Sequence, residues 1–128
     1  MKKSYAAARC GLSQALASRD VEDLHEARKH MIHNLHHLDL LHRLWPEMFK
    51  AWIAELTVLR EALGDFNDLA ELRQIATSTE TAQVVLITID ARCTELLAIA
   101  EAKVRVLYAE KPAAFARRIG AMWDRIAD

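Results

Sequence analysis

Between Asp20 and Trp45 the apolar residues return every three or four positions: Leu24, Ala27, Met31, Leu35 and Leu38, continued by Leu41 and Trp45. That interval is the period of an α-helix with one buried stripe. Read the same way, the whole chain predicts five or six helices, each marked by its punctuation. The first runs from about Ser4 to Ala17, and "SRD" ends it. Asp20 is a good N-cap for the second, which extends to Trp45 because Pro46 prevents it going further. Pro46 fits the first turn of a third helix ending near Gly64. Asn67 or Asp68 starts a short fourth helix to about Thr77. Ser78 or Thr79 caps a fifth from Glu80 to about Glu110, and Pro112 opens the last, to about Ala127. No segment alternates apolar and polar residues cleanly enough for a strand, although "VVLITI" is the weakest helical stretch. The pattern predicts an all-α fold, an antiparallel bundle of five to six helices in a single domain spanning residues 1–128. Trp45, Trp52, Trp123, Phe49, Phe66 and Phe115 are expected in its core.

Composition agrees with that picture and narrows the function. A hydrophobic fraction of 52%, with three glycines and two prolines, suits an ordered helical chain rather than a linker. Seventeen Lys and Arg face eighteen Asp and Glu, so net charge by itself points to no membrane and no specific nucleic acid. Any affinity for anions has to come from local clustering. Cys10 and Cys93 lack a CxxC spacing and read as reduced thiols of a cytoplasmic protein. No stretch has the order of a signal peptide, and "AQVVLITI" is too short to span a bilayer. The serines have no evident base, no carboxylate pair announces itself, and Asp65 and Asp68 read as helix caps. Neither an enzyme nor a cofactor is expected.

All six histidines fall between His25 and Arg43. On a helical wheel they form two groups. His25, Arg28, Lys29, His36 and Arg43 make a basic row nearly opposite the apolar stripe, with charges recurring at roughly 4.5 to 10 Å along the axis. A flexible phosphate chain can follow such a row, arginine binding in a bidentate manner and lysine as a point charge. The same row also fits an ordinary solvated face, and Ile32 and Asp39 dilute it. His30, His33 and His37 make a tighter group on the row's flank, at a spacing that would let imidazoles share a metal ion, although no HExxH arrangement accompanies it. Arg117 and Arg118 form a second basic pair that reads equally well as solvent-facing.

Three segments together resemble the CHAD family, the "conserved histidine α-helical domain". "LHEARKHMIHNLHHLDLLHRLWPE" is similar to its signature helix with a His-x-x-Arg-Lys start, "LREALGDFNDLAELRQI" to its Leu-Gly-x-x-x-Asp-Leu turn, and "LYAEKPAAFARRIGAMW" to its closing helix. The likeness runs from Tyr5 to Trp123 and is strongest to the second of the two helical halves of a full CHAD protein. It implies binding of inorganic polyphosphate without catalysis, and an association with polyphosphate granules. Position by position it implicates His25, Arg28 and Lys29, then Arg9 on the first helix, and Lys111, Arg117 and Arg118 near the end. Gly64 and Asp68 match the turn and are structural. His30, Ile32, Asp39 and His42 stand where relatives carry Arg or Lys.

Polyphosphate binding should weaken steeply with salt and tighten as pH falls through about 6.5, because bound anion favours imidazolium. Metal binding through His30, His33 and His37 predicts the reverse, since protons compete for the same nitrogens. A third role is assembly: half of a two-part fold exposes a face for a homodimer or for a second CHAD half, and Ile32 and Leu40 lie outside the core stripe.

Overall fold

The computed structural model describes residues 1–78 and 82–127. Its elements are α1 (Lys2–Ser18), α2 (Val21–Leu40), a short 3-10 turn (His42–Leu44), α3 (Pro46–Thr77), α4 (Gln83–Leu107) and α5 (Pro112–Ala127). α1 packs on α2, α2 on α3, α3 on α4, and α4 back on α1, so four helices form a ring around one core. α5 lies outside the ring against α1 and the 3-10 turn.

The turn from α1 to α2 is set by its own residues. Arg19 ends α1 in the left-handed region at φ 57°, with its N–H donating to the Ala15 carbonyl. Asp20 then caps α2, its carboxylate accepting from the Asp23 N–H at 3.0 Å. A left-handed non-glycine residue is costly, and the immediate restart of helix behind a good cap holds it there.

Three expected boundaries are corrected. α2 ends at Leu40 rather than Trp45, and the chain turns through His42–Leu44. Trp45 is extended at φ −158° and ψ 84°, because the ring of Pro46 excludes the helical conformation for its predecessor. More consequential is the absence of a break near Gly64: the third and fourth predicted helices are one continuous α3. Asp65 and Asp68 cap nothing and lie exposed on its surface. α4 begins at Gln83 after Ala82, and Ser78 closes α3 instead of opening α4. The alternative cap Thr79 and the predicted start at Glu80 lie outside the described residues.

The core contains Leu24, Ala27, Met31, Leu35 and Leu38 of α2, as the stripe predicts, with Phe49, Phe66 and Phe115. Trp52 is half-buried at its edge. Trp45 and Trp123 are instead 51% and 58% exposed, because both lie at the corner where α2 stops short and α5 leaves the ring. At the other end of the core, Tyr5 stacks on Phe115 with centroids 4.0 Å apart and donates to the Glu110 carbonyl at 2.8 Å. Tyr108 donates to Oδ1 of the fully buried Asn34 at 2.9 Å. This cluster locks the α4–α5 corner onto α1 and α2. Burial pushes the hydroxyl pKa of both tyrosines up.

Candidate functional site

Because α2 sits between α1 and α3, its two basic groups have different neighbours. The row does not lie opposite the core. Its inner edge turns toward α3, so His25, Arg28 and Ile32 are half-buried while Lys29 and His36 stay exposed. The wheel explains this: Arg28 is only about 60–80° from the centre of the buried stripe, close enough for α3 to reach it.

Arg28 lies at the centre of the groove where α2 packs on α3. Its Nε donates to the carbonyl oxygen of Arg60 on α3 at 3.3 Å. Its guanidinium lies over Gly64, where an added Cβ would stand 3.3 Å from Nη2 and 3.6 Å from Cζ. Gly64 is therefore a seat for Arg28 inside a continuous helix rather than a turn glycine. Among the described residues neither Arg28 nor Arg60 has a carboxylate partner. Arg60 escaped the sequence reading; its only signal is its position one turn before Gly64 in "LREALG". Beside them, Nδ1 of His25 is buried with no hydrogen-bond partner among the described residues. Orphan buried nitrogens are uncommon in purely structural positions.

Lys29 pairs with Glu26 at 2.9 Å, both side chains more than half exposed. The hydrogen bond and charge of Lys29 hold the Glu26 carboxyl below its ordinary range. Such an exposed i, i+3 pair is screened by solvent, contributes little to stability and yields easily to a stronger anion. His36 is exposed farther along α2. Arg43 lies past the end of the helix, in a cleft of about 460 Å³ shared with Leu40, His42 and Trp123. The row is thus a groove formed by α2 and α3 with exposed cations at its rim, not a straight ledge along one rod.

The other implicated cations lie elsewhere. Arg9 faces the α1–α4 groove, across the ring from α2–α3, and its Nε donates to the Tyr108 carbonyl at 3.0 Å. It shares a cleft of about 520 Å³ with Arg105 and Cys10. Lys111 and Arg117 are exposed at and along α5. Arg118 is engaged internally: Nη2 and Nε donate to Glu110 at 2.6 and 3.2 Å, and the guanidinium stands 5.0 Å over the Trp52 ring. The structure joins Arg28 to the main-chain carbonyl of Arg60, one turn from His25, and leaves Arg9, Lys111, Arg117 and Arg118 outside that groove.

His30, His33 and His37 do not converge. His30 and His33 are exposed, while His37 turns toward α1, where Nδ1 and the Ser4 hydroxyl share a hydrogen bond of 2.7 Å. Among the described residues no group of three or more His, Cys, Asp or Glu is arranged to hold a metal ion. The two cysteines are free, Cys10 exposed and Cys93 half-buried. Among the described residues no helix is long and apolar enough to cross a membrane.

The chain is thus a ring of helices that carries a His-x-x-Arg-Lys segment on α2, facing Gly64 of α3. The family model of the CHAD domain matches residues 1–77, and the chain belongs to that family. The matched part includes α1, α2 and α3 with the whole α2–α3 groove; the likeness of the closing helix lies beyond it. No curated protein and no solved structure matches the chain.

Proposed function

We propose that the chain is a non-catalytic module that binds inorganic polyphosphate along the α2–α3 groove. CHAD domains as a family bind polyphosphate, and the matched residues carry the groove. The observation that carries the reading is a guanidinium with no carboxylate partner among the described residues: Arg28, held in place by the Arg60 carbonyl and the space above Gly64, beside the orphaned His25 Nδ1. Tethering one nitrogen to a backbone carbonyl orients the guanidinium without neutralising it, which prepares its remaining N–H groups for a phosphate. Lys29 and His36 add charge at the rim, where side chains can adapt to a flexible chain. On this reading the protein acts where polyphosphate collects, in the cytoplasm and at polyphosphate granules.

The test is fluorescence anisotropy with labelled polyphosphate at about pH 6 and low salt, where imidazolium and weak screening both favour binding. Wild type should bind, and replacing His25, Arg28 and Lys29 together by alanine should reduce affinity by at least about tenfold, or about 1.4 kcal/mol. A triple variant that binds as tightly as wild type would show that the groove is only a solvated surface.

A further inference from the structure

Across the ring from the α2–α3 groove, α1 and α4 part into a cleft of about 520 Å³. α1 lines it with Arg9, Cys10, Ser13 and Gln14, which recur at one-turn spacing, and α4 with Arg105 and Tyr108. Among the described residues no aspartate or glutamate belongs to that lining. Arg9 is half-buried, and its Nε donates to the Tyr108 carbonyl at the end of α4 at 3.0 Å. That bond uses a single N–H and leaves the guanidinium charge uncompensated. Arg105, one turn before Tyr108, is exposed. Among the described residues neither arginine pairs with a carboxylate. The two acids that flank Arg105 and Tyr108 in sequence are engaged elsewhere. Glu101 pairs with Arg19 at 3.5 Å, and Glu110 accepts from Arg118 at 2.6 and 3.2 Å.

We propose that the α1–α4 cleft is a binding site for a small phosphorylated molecule, whose terminal phosphoryl group lies between Arg9 and Arg105. Two like charges lining one cleft repel each other, and an oxyanion between them turns that repulsion into attraction. A phosphoryl group accepts several hydrogen bonds at once, as a pair of guanidinium groups requires, and the tethered Arg9 is oriented for it in advance. The Ser13 hydroxyl and the Gln14 amide, both exposed on the same wall, supply neutral donors.

Size and charge both select a small ligand over a polymer. The cleft falls within the range of small-molecule sites, about 300–1,000 Å³. Its two cations stand at one spot, and the next one in sequence after Arg9, Arg19, is already paired with Glu101, so no row of free charge continues along the groove. The site differs from the α2–α3 groove in place and in ligand, and it does not depend on polyphosphate binding there.

Cys10 is exposed on the wall of the cleft, so its alkylation reads occupancy locally. The full chain is treated with uncharged iodoacetamide at about pH 8, near the thiol pKa, with EDTA present and sodium chloride holding the ionic strength constant. Peptide mass spectrometry follows the labelling of Cys10 and of the half-buried Cys93. The probes are pyrophosphate and adenosine diphosphate. At least adenosine diphosphate should slow Cys10 about fivefold or more at saturation, with half-protection on the order of 0.1–1 mM, while Cys93 keeps its rate. Protection by both probes assigns recognition to the phosphoryl group alone, and protection by adenosine diphosphate only adds its organic part; either supports the site. Arg105→Gln should raise the half-protecting concentration at least about tenfold, each protein being compared with its own ligand-free rate. Arg125→Gln, which removes an exposed arginine on the last turn of α5, should leave it unchanged. No protection by adenosine diphosphate up to about 10 mM overturns the proposal. So does protection that Arg105→Gln leaves intact, that Arg125→Gln weakens equally, or that Cys93 shares. Polyphosphate binding in the α2–α3 groove is read separately by anisotropy, so either idea can fail without the other.

Discussion

Replacing Gly64 by alanine sets two opposing energies against each other in the α2–α3 groove. In a helix interior alanine is favoured over glycine by about 0.8–1.0 kcal/mol, and Gly64 lies well inside α3. Its new Cβ would stand 3.3, 3.5 and 3.6 Å from Nη2, Nε and Cζ of Arg28. Comfortable separations begin near 3.5 Å, so the guanidinium must retreat by a few tenths of an ångström. The Nε bond to the Arg60 carbonyl is already long at 3.3 Å, and a retreat of that size breaks it. A hydrogen bond from a charged donor is worth about 1.5–3 kcal/mol when well formed, and a long, half-exposed one about 1 kcal/mol. Gain and loss nearly cancel, so Gly64→Ala alone should change stability by less than about 0.5 kcal/mol. With Arg28→Ala already present nothing opposes the helical gain, and Gly64→Ala should then stabilise by about 1 kcal/mol. Urea denaturation of the four proteins in this cycle measures the coupling. With m near 1–2 kcal/mol/M, the stabilised background should shift its midpoint by about 0.5–1 M at unchanged m. If Gly64→Ala stabilises both backgrounds equally, within about 0.3 kcal/mol, Arg28 does not sit against Gly64 and the groove geometry is wrong. Gly64→Ala should also lower polyphosphate affinity while the fold stays intact, which separates the seat from the scaffold.

Four other outcomes follow from the same structure. Tyr108→Phe strands the buried Asn34 side chain and should cost about 1–3 kcal/mol in urea denaturation, whereas an unchanged midpoint would mean the hydroxyl is not its partner. Arg19→Gly relieves the left-handed residue at the α1–α2 turn and should stabilise by about 0.5–1 kcal/mol even after losing the exposed contact with Glu101; a lower melting temperature contradicts that. Arg73 holds the Asp90 carboxyl below its ordinary range, so the pair's contribution is present above the unfolded carboxylate pKa and lost as pH falls through the folded one; Arg73→Met should flatten the acid side of the stability profile. Burial raises the Tyr108 pKa, so the stability it confers is complete below the unfolded value near 10 and declines above it, and Tyr108→Phe should flatten that alkaline loss.

Local rules accounted for whatever depends on neighbours in sequence. The three-to-four-residue recurrence in α2 specified which side is buried, Asp20 marked its start, and Pro46 marked the first residue of α3, although the corner itself begins five residues earlier, after Leu40. The His-x-x-Arg-Lys segment pointed to an anion site. What the wheel could not know was which flank a neighbouring helix would occupy. α3 covers the inner edge of the basic row, and the main-chain carbonyl of Arg60 turns Arg28 from a rim charge into an oriented group. α1 draws His37 away from His30 and His33 through Ser4. Arg118, similar in sequence to a ligand-binding arginine, is engaged by Glu110 and Trp52 because α5 folds back over that corner.

Gly64 shows where the division falls. As a sequence signal it reads as the end of a helix, since glycine disfavours helical backbone and has no side chain to contribute. That preference is worth about 1 kcal/mol, less than the packing along a 32-residue helix and the space Arg28 needs above it. Periodicity, caps and proline are contained in the chain itself. Which side chain fills an empty place depends on what the fold sets opposite, and that partner stands 36 residues away, on another helix.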